Sequence, residues 1–101
     1  MIEVKNDERI ADTRNILCEE LVVYKDSGDI KDGFMYNYYE YYCIVSEPER
    51  KIYVIDFKVL KRIYKRGQMR DFPHKDQTTY GYLLPLSEVK ANNGLITILE
   101  Y

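Results

Sequence analysis

Two tyrosine-rich runs, FMYNYYEYYCIV at residues 34–45 and KIYVIDFKVL at residues 51–60, flank the short segment SEPER, and this arrangement constrains the fold more than any other feature of the chain. Tyr, Val and Ile suit the pleated, half-buried surface of a sheet, while Pro48 among three charges suits a short connection. The two runs therefore predict an antiparallel hairpin. Along the first of them, Tyr38, Glu40 and Tyr42 alternate with Tyr39, Tyr41 and Cys43. That alternation predicts a hairpin covered in part on both faces, and it leaves the tyrosines readable either as packing groups or as platforms for nucleic-acid bases.

The remaining elements follow from periodicity and breakers. Asn6 or Asp7 is placed to cap a helix running to about Leu21, with Ile10, Leu17 and Leu21 at helical spacing and Glu8 in the first turn, where the dipole favours an anion. YKDSGDIKDG then reads as a polar loop. After the hairpin, Leu60, Ile63 and Tyr64 recur at i, i+3 and i+4, which predicts a short helix ended near Gly67. QMRDFPHKDQ reads as a loop, TTYGYLLPL as an extended segment, SEVKANNG as a short helix from Ser87 to a glycine stop, and LITILEY as a final strand. The expected order is α-β-β-α-β-α-β. It describes an α/β or α+β layer fold, a mixed sheet built on the Tyr-rich hairpin with helices on its faces, within one domain spanning residues 1–101.

Charge divides the chain more sharply than its net value of −2 suggests. Residues 1–57 carry seven Lys or Arg against thirteen Asp or Glu, and residues 58–101 carry eight against four, giving −6 and +4. Lys58, Lys61, Arg62, Lys65, Arg66 and Arg70 follow one another with no acid between them. Such a run tracks a polyanion such as nucleic acid, or forms a solvated helix face. No apolar stretch approaches the roughly 18 residues of a membrane span, and MIEVKNDER is unlike a secretory signal. A cytoplasmic protein with no membrane partner is expected, with Cys18 and Cys43 as reduced, buried thiols. The small core also leaves room for a homodimer built on an exposed LITILEY edge.

A turn centred on Pro48 would pair residues whose numbers sum to 96, setting Glu40 opposite Asp56 and Tyr38 opposite Lys58. Glu40, Asp56 and Lys58 would then share a face. Two carboxylates directly opposite each other repel unless one is protonated or a cation lies between them. Mg²⁺ answers that need, because it takes hard oxygen ligands and completes its shell with water and phosphate oxygens. Lys58 would orient the attacking water or stabilise charge on the phosphate.

Helix, hairpin, acid on one strand and IDFK on the next together resemble the PD-(D/E)xK nuclease superfamily over roughly residues 7–82. The resemblance implies Asp56 as a metal ligand, Lys58 as the catalytic lysine, Glu40 where the family usually has aspartate, Glu8 as a further ligand, and Gln77 as similar to a downstream glutamine of some members. His74, the only histidine, reads as a general base or as an unpartnered surface residue. Two functions stay open. One is a small nuclease-like domain hydrolysing DNA or RNA with Mg²⁺; the other is a non-enzymatic interaction protein, of the compact kind phages and mobile elements encode, docking on a partner protein through its acidic front or Tyr-rich hairpin.

Overall fold

The segment between the tyrosine-rich runs closes as a four-residue turn, Glu47–Arg50, in which the Arg50 N–H donates to the Glu47 carbonyl at 3.0 Å. Pro48 occupies the second turn position, where its fixed φ fits a type I geometry, and Arg50 completes the reversal in the left-handed region with φ 53°. The computed structural model describes all residues, Met1–Tyr101. It contains the expected hairpin, formed by β4 (Tyr41–Ser46) and β5 (Lys51–Asp56) and closed by the pair Ser46 and Lys51. Paired residues sum to 97, not 96. Tyr41, and not Glu40, lies opposite Asp56. The expectation centred the turn on Pro48; an even, four-residue turn centres it between Pro48 and Glu49 instead.

The first strand of the hairpin is shorter than its tyrosines suggested. Phe34–Tyr36 is a 3₁₀ turn, and residues 37–40 connect it to β4 without strand structure. Beyond β5 the chain enters α2 (Phe57–Ile63) and a 3₁₀ turn, Tyr64–Arg66, that stops at Gly67. This helix agrees with the expected spacing: Phe57, Leu60, Ile63 and Tyr64 are all buried on one face.

The long first helix is not formed. Helix α1 spans only Ile10–Thr13, and Arg14 ends it with φ 56°. Strand β1 (Ile2–Asn6) precedes it, and β2 (Asn15–Tyr24) replaces its predicted second half. The reason lies in where the apolar residues fall. Ile16, Leu17 and Cys18, then Leu21, Val22 and Val23, fill both phases around Glu19 and Glu20, so no period of two shows, and Leu17 and Leu21 lie four apart as on a helix. A β-bulge between Glu19 and Leu21 then turns Val22, opposite Thr79, to the face away from Ile16 and Cys18. Within the predicted loops lie β3 (Ile30–Asp32) and β6 (Gln68–Pro73), both edge strands. The extended segment, short helix and last strand are present as β7 (Gln77–Pro85), α3 (Leu86–Ala91) and β8 (Leu95–Glu100).

Eight strands thus form two four-stranded sheets in an α+β fold. The first has the order β1-β4-β5-β8, with β1 parallel to β4 and the other pairs antiparallel; the second, β3-β2-β7-β6, is antiparallel throughout. The core joins Tyr42, Ile44, Tyr53 and Ile55 from the inner face of the first sheet to Ile16, Cys18 and Leu84 of the second, with Phe57, Leu60, Ile63, Leu86 and Val89 from the helices packed among them. Burying this set supplies the main drive to fold. All of it lies on one side of the hairpin sheet. No helix is long and apolar enough to cross a membrane.

Candidate functional site: two bare surfaces and a mixed-charge cleft

Asp56 closes β5 and opens α2. Its Oδ1 accepts the N–H of Lys58 at 2.9 Å and that of Val59 at 3.4 Å, the geometry of an N-cap whose carboxylate also complements the helix dipole. Lys58, two residues on, turns its exposed side chain outward from the first turn of α2. Glu40 goes elsewhere. The Phe57 N–H donates to its carbonyl at 3.1 Å, so the ladder sets Glu40 against Phe57, and its side chain lies on the face opposite that of Tyr41 and Asp56. Glu8 follows β1 at the far end of the sheet: Asn6 pairs with Val45, four residues along β4 from the Tyr41 that pairs with Asp56. That separation is at least about 13 Å. The three expected ligands therefore do not converge, and no three His, Cys, Asp or Glu side chains cluster elsewhere to share a metal ion. The residues present do not fit the Mg²⁺ site that the resemblance implied. Gln77 starts β7 opposite Tyr24, in the second sheet.

The cation run is partly spent on internal contacts. Lys58, Lys61, Arg62 and Lys65 share the outer face of α2 and the turn after it. Lys61 donates to the Asn37 carbonyl at 3.1 Å and sits 3.8 Å above the Tyr38 ring. Lys65 lies 3.8 Å from Glu20, and Arg66 lies 4.0 Å from Glu88 and donates to Asn92. Arg70 stands apart on β6, bonded to Gln68. Lys58 and Arg62 alone of the six are exposed with no protein partner.

Glu49, in the turn, gathers a different network. Tyr53 Oη donates to its carboxylate at 2.9 and 3.0 Å, Ser46 Oγ at 3.0 Å, and Arg14 Nη1 at 3.0 Å while also reaching Tyr53 Oη at 2.8 Å. Burial pushes the Glu49 carboxyl up, but the donors Tyr53, Ser46 and Arg14 outweigh it and hold it below the usual carboxylate range. Every member is satisfied. The network pins the hairpin turn to the junction of α1 and β2, and it acts structurally.

A cleft of about 590 Å³ opens between the β6–β7 turn and the β1–α1 segment, with Leu17, Leu83, Phe72, Phe34 and Tyr42 along its floor. Its lining carries both signs, Lys5 and Arg9 with Asp7, Glu19 and Asp71, and it includes His74. His74 is held through its backbone: its N–H donates to Gln77, and its carbonyl accepts from Lys25. No side-chain hydrogen bond orients the imidazole as a base.

A broad apolar surface lies on a face of the hairpin that was expected to be covered in part. On the outer side of the first sheet, Ile2 and Val4 of β1, Tyr41, Cys43 and Val45 of β4, Ile52 and Val54 of β5 and Leu99 of β8 lie in register and side by side. Ile2 is 55% and Val4 58% exposed. Only Asn6, Asp56 and Thr97 interrupt the face, at its margins. Four strands of about six residues span roughly 300 Å² in projection, the size at which an exposed apolar patch acquires meaning. The signal was present in YYCIV and KIYVI, where apolar residues occupy both phases of the alternation although one phase suffices for the core. Cys43 belongs to this face and Cys18 to the core, so the two thiols lie on opposite sides of the first sheet. Comparison with protein-family models, with curated proteins and with solved structures returns no match.

Proposed function

We propose that the protein is a non-catalytic interaction module that docks on a folded partner protein through the outer face of its hairpin sheet. The observation that carries this is the apolar register of Ile2, Val4, Cys43, Val45, Ile52, Val54 and Leu99 across four strands, broken only at its margins and exposed at Ile2, Val4 and Leu99. Desolvating such a surface is the main favourable term in protein association, and its lack of interior charge matches the depleted core of protein interfaces. The carboxylate of Asp56 at one end favours a protein over an anionic lipid surface. Two unpaired thiols fit a cytoplasmic setting. Catalysis is not needed to account for any of these residues, since Asp56 is used as a helix cap and Glu40 faces away from it.

The test places a charge in the middle of the patch. Val54→Lys, between Cys43 and Thr97, should leave the fold intact at a cost within about 1 kcal/mol and weaken partner binding at least about tenfold. Tagged wild-type protein, Val54→Lys and Lys58→Ala are used as baits in extract of the native host, and the recovered partner is purified and titrated against each. Binding should be lost with Val54→Lys and kept with Lys58→Ala. Binding that survives Val54→Lys overturns the proposal, as does Mg²⁺-dependent cleavage of DNA or RNA that Lys58→Ala abolishes.

A further inference from the structure

Four strands end a sheet in this fold, and three of them carry the usual defences against pairing with another chain. Strand β3 is three residues long and includes Lys31 and Asp32; β6 holds Arg70 and Asp71 at its middle; β1 carries Glu3 and Lys5 on one side. Strand β8 has none. Leu95, Ile96, Thr97, Ile98 and Leu99 include no charge, glycine or proline, and Ile96 (52%), Ile98 (37%) and Leu99 (49%) are exposed. Ile98 and Leu99 point to opposite faces, so a partner lying over the outer face would leave Ile98 in water. Only a strand alongside β8 covers both.

The backbone is set for such a strand. Tyr101 N–H donates to the Arg50 carbonyl at 3.1 Å, and Lys51, Ile52, Tyr53 and Val54 pair with Glu100, Leu99, Ile98 and Thr97. Antiparallel alternation then turns the N–H and C=O groups of Ile98 and Glu100 away from β5 toward solvent.

We infer that β8 pairs antiparallel with β8 of a second copy of this chain, about a two-fold axis through Ile98. Directly opposed residues lie on the same side of a sheet, so the two-fold must set residues of one phase against each other. Centred on Ile98, it lets the two Ile98 backbones exchange both hydrogen bonds. Thr97 then meets the copy's Leu99, and the regular pairing stops at the bulge residue Ile96. No like charges face each other, because each Glu100 lies opposite its own Lys51 on the other side. The product is one eight-stranded sheet, β1-β4-β5-β8-β8-β5-β4-β1. Side chains of Ile96, Ile98, Leu99 and Tyr101 bury at most on the order of 400 Å² per copy, less than a standard interface, so the pairing is weak and populated only at high protein concentration.

Sedimentation velocity across the micromolar to millimolar range reads the association. Wild-type protein should pass from monomer to dimer, and Ile98→Lys, which opposes two ammonium groups, should raise the dissociation constant at least about tenfold with little change in Tm. Register is read separately in a Cys43→Ser background. Ile98→Cys should oxidise to a covalent dimer, since an opposed pair has Cα atoms about 5.5 Å apart; Thr97→Cys should not, because Leu99 lies opposite it. A protein that stays monomeric at millimolar concentration, a dimer that survives Ile98→Lys, or equal cross-linking at both positions overturns the inference. A dimer dissolved by Val54→Lys but not by Ile98→Lys would assign the contact to the outer face, removing the edge pairing while leaving the docking surface in place.

Discussion

Asp56→Ala separates a helix cap from a metal ligand by the sign of its effect. As a cap, Asp56 satisfies two backbone N–H groups, of Lys58 and Val59, that α2 cannot satisfy itself. Losing the side-chain acceptor costs about 1 kcal/mol, and losing the anion at the helix N-terminus adds about 0.5 kcal/mol, so Asp56→Ala should lose about 1.5 kcal/mol in all. For a domain of this size that lowers Tm by roughly 6–12 °C. Asp56→Asn keeps a competent acceptor, loses only the charge, and should stay within about 0.5 kcal/mol of wild type. Thermal melts followed by circular dichroism, with and without Mg²⁺ or Mn²⁺, measure both. A metal ligand behaves otherwise. Without the ion, its removal is neutral or stabilising, whereas a divalent cation at ten times its dissociation constant adds about 1.4 kcal/mol to wild type alone. An alanine variant that melts at or above wild type, or a cation-induced rise in Tm abolished by alanine and asparagine alike, would refute the reasoning.

Two further outcomes follow from the core and the turn. Gly81 pairs with Glu19 and Arg70, and a Cβ there would meet the Cys18 backbone carbonyl, so Gly81→Ala should destabilise by about 2 kcal/mol, measured by urea melting; a neutral result would mean that the β2–β7 ladder yields freely. Glu49 has a folded pKa held below its unfolded value, so its stabilisation is complete above about pH 4.3 and is lost as pH falls through the lower folded value. Wild-type Tm should therefore drop steeply across that acid range, and Glu49→Gln, less stable at neutral pH, should drop less; parallel curves would remove Glu49 as the source.

Local signals were legible and relational ones were not. α2 was readable because Leu60, Ile63 and Tyr64 repeat on one face, and the hairpin because Pro48 separates two β-rich runs. Its register was not, since a turn centred on Pro48 and one centred half a residue later contain the same residues and differ only in where Arg50 takes positive φ. β2 was misread because apolar residues fill both phases on either side of Glu19 and Glu20, leaving no alternation to identify a strand, and the bulge at Glu19–Leu21 exchanges the buried phase. β1 and β6 carry mixed polar sequences, and their strand character comes from Tyr41–Val45 and Thr78–Leu83 across the chain. The supposed catalytic pair fell with the register. The acid-x-Lys spacing of Asp56 and Lys58 recurs at Glu3, Asp29, Glu49 and Glu88, so only three-dimensional context could decide its role.

The outer face and the β8 edge are coupled through Thr97 and Leu99, which belong to both. If two copies packed face to face, the apolar patch would be consumed and nothing would remain for a partner. Edge pairing has the opposite consequence. A two-fold axis perpendicular to the sheet leaves both outer faces on the same side, so Ile2, Val4, Val54 and Leu99 of one copy continue across β8 into the same set from the other. The platform doubles without a new residue, and a partner offering two equivalent patches would gain from the second by effective concentration. On the proposed pairing, both departures from an ordinary small domain have one physical reason: an edge charged only at Glu100 would let copies join, and the exposed apolar face is what the joined copies would present.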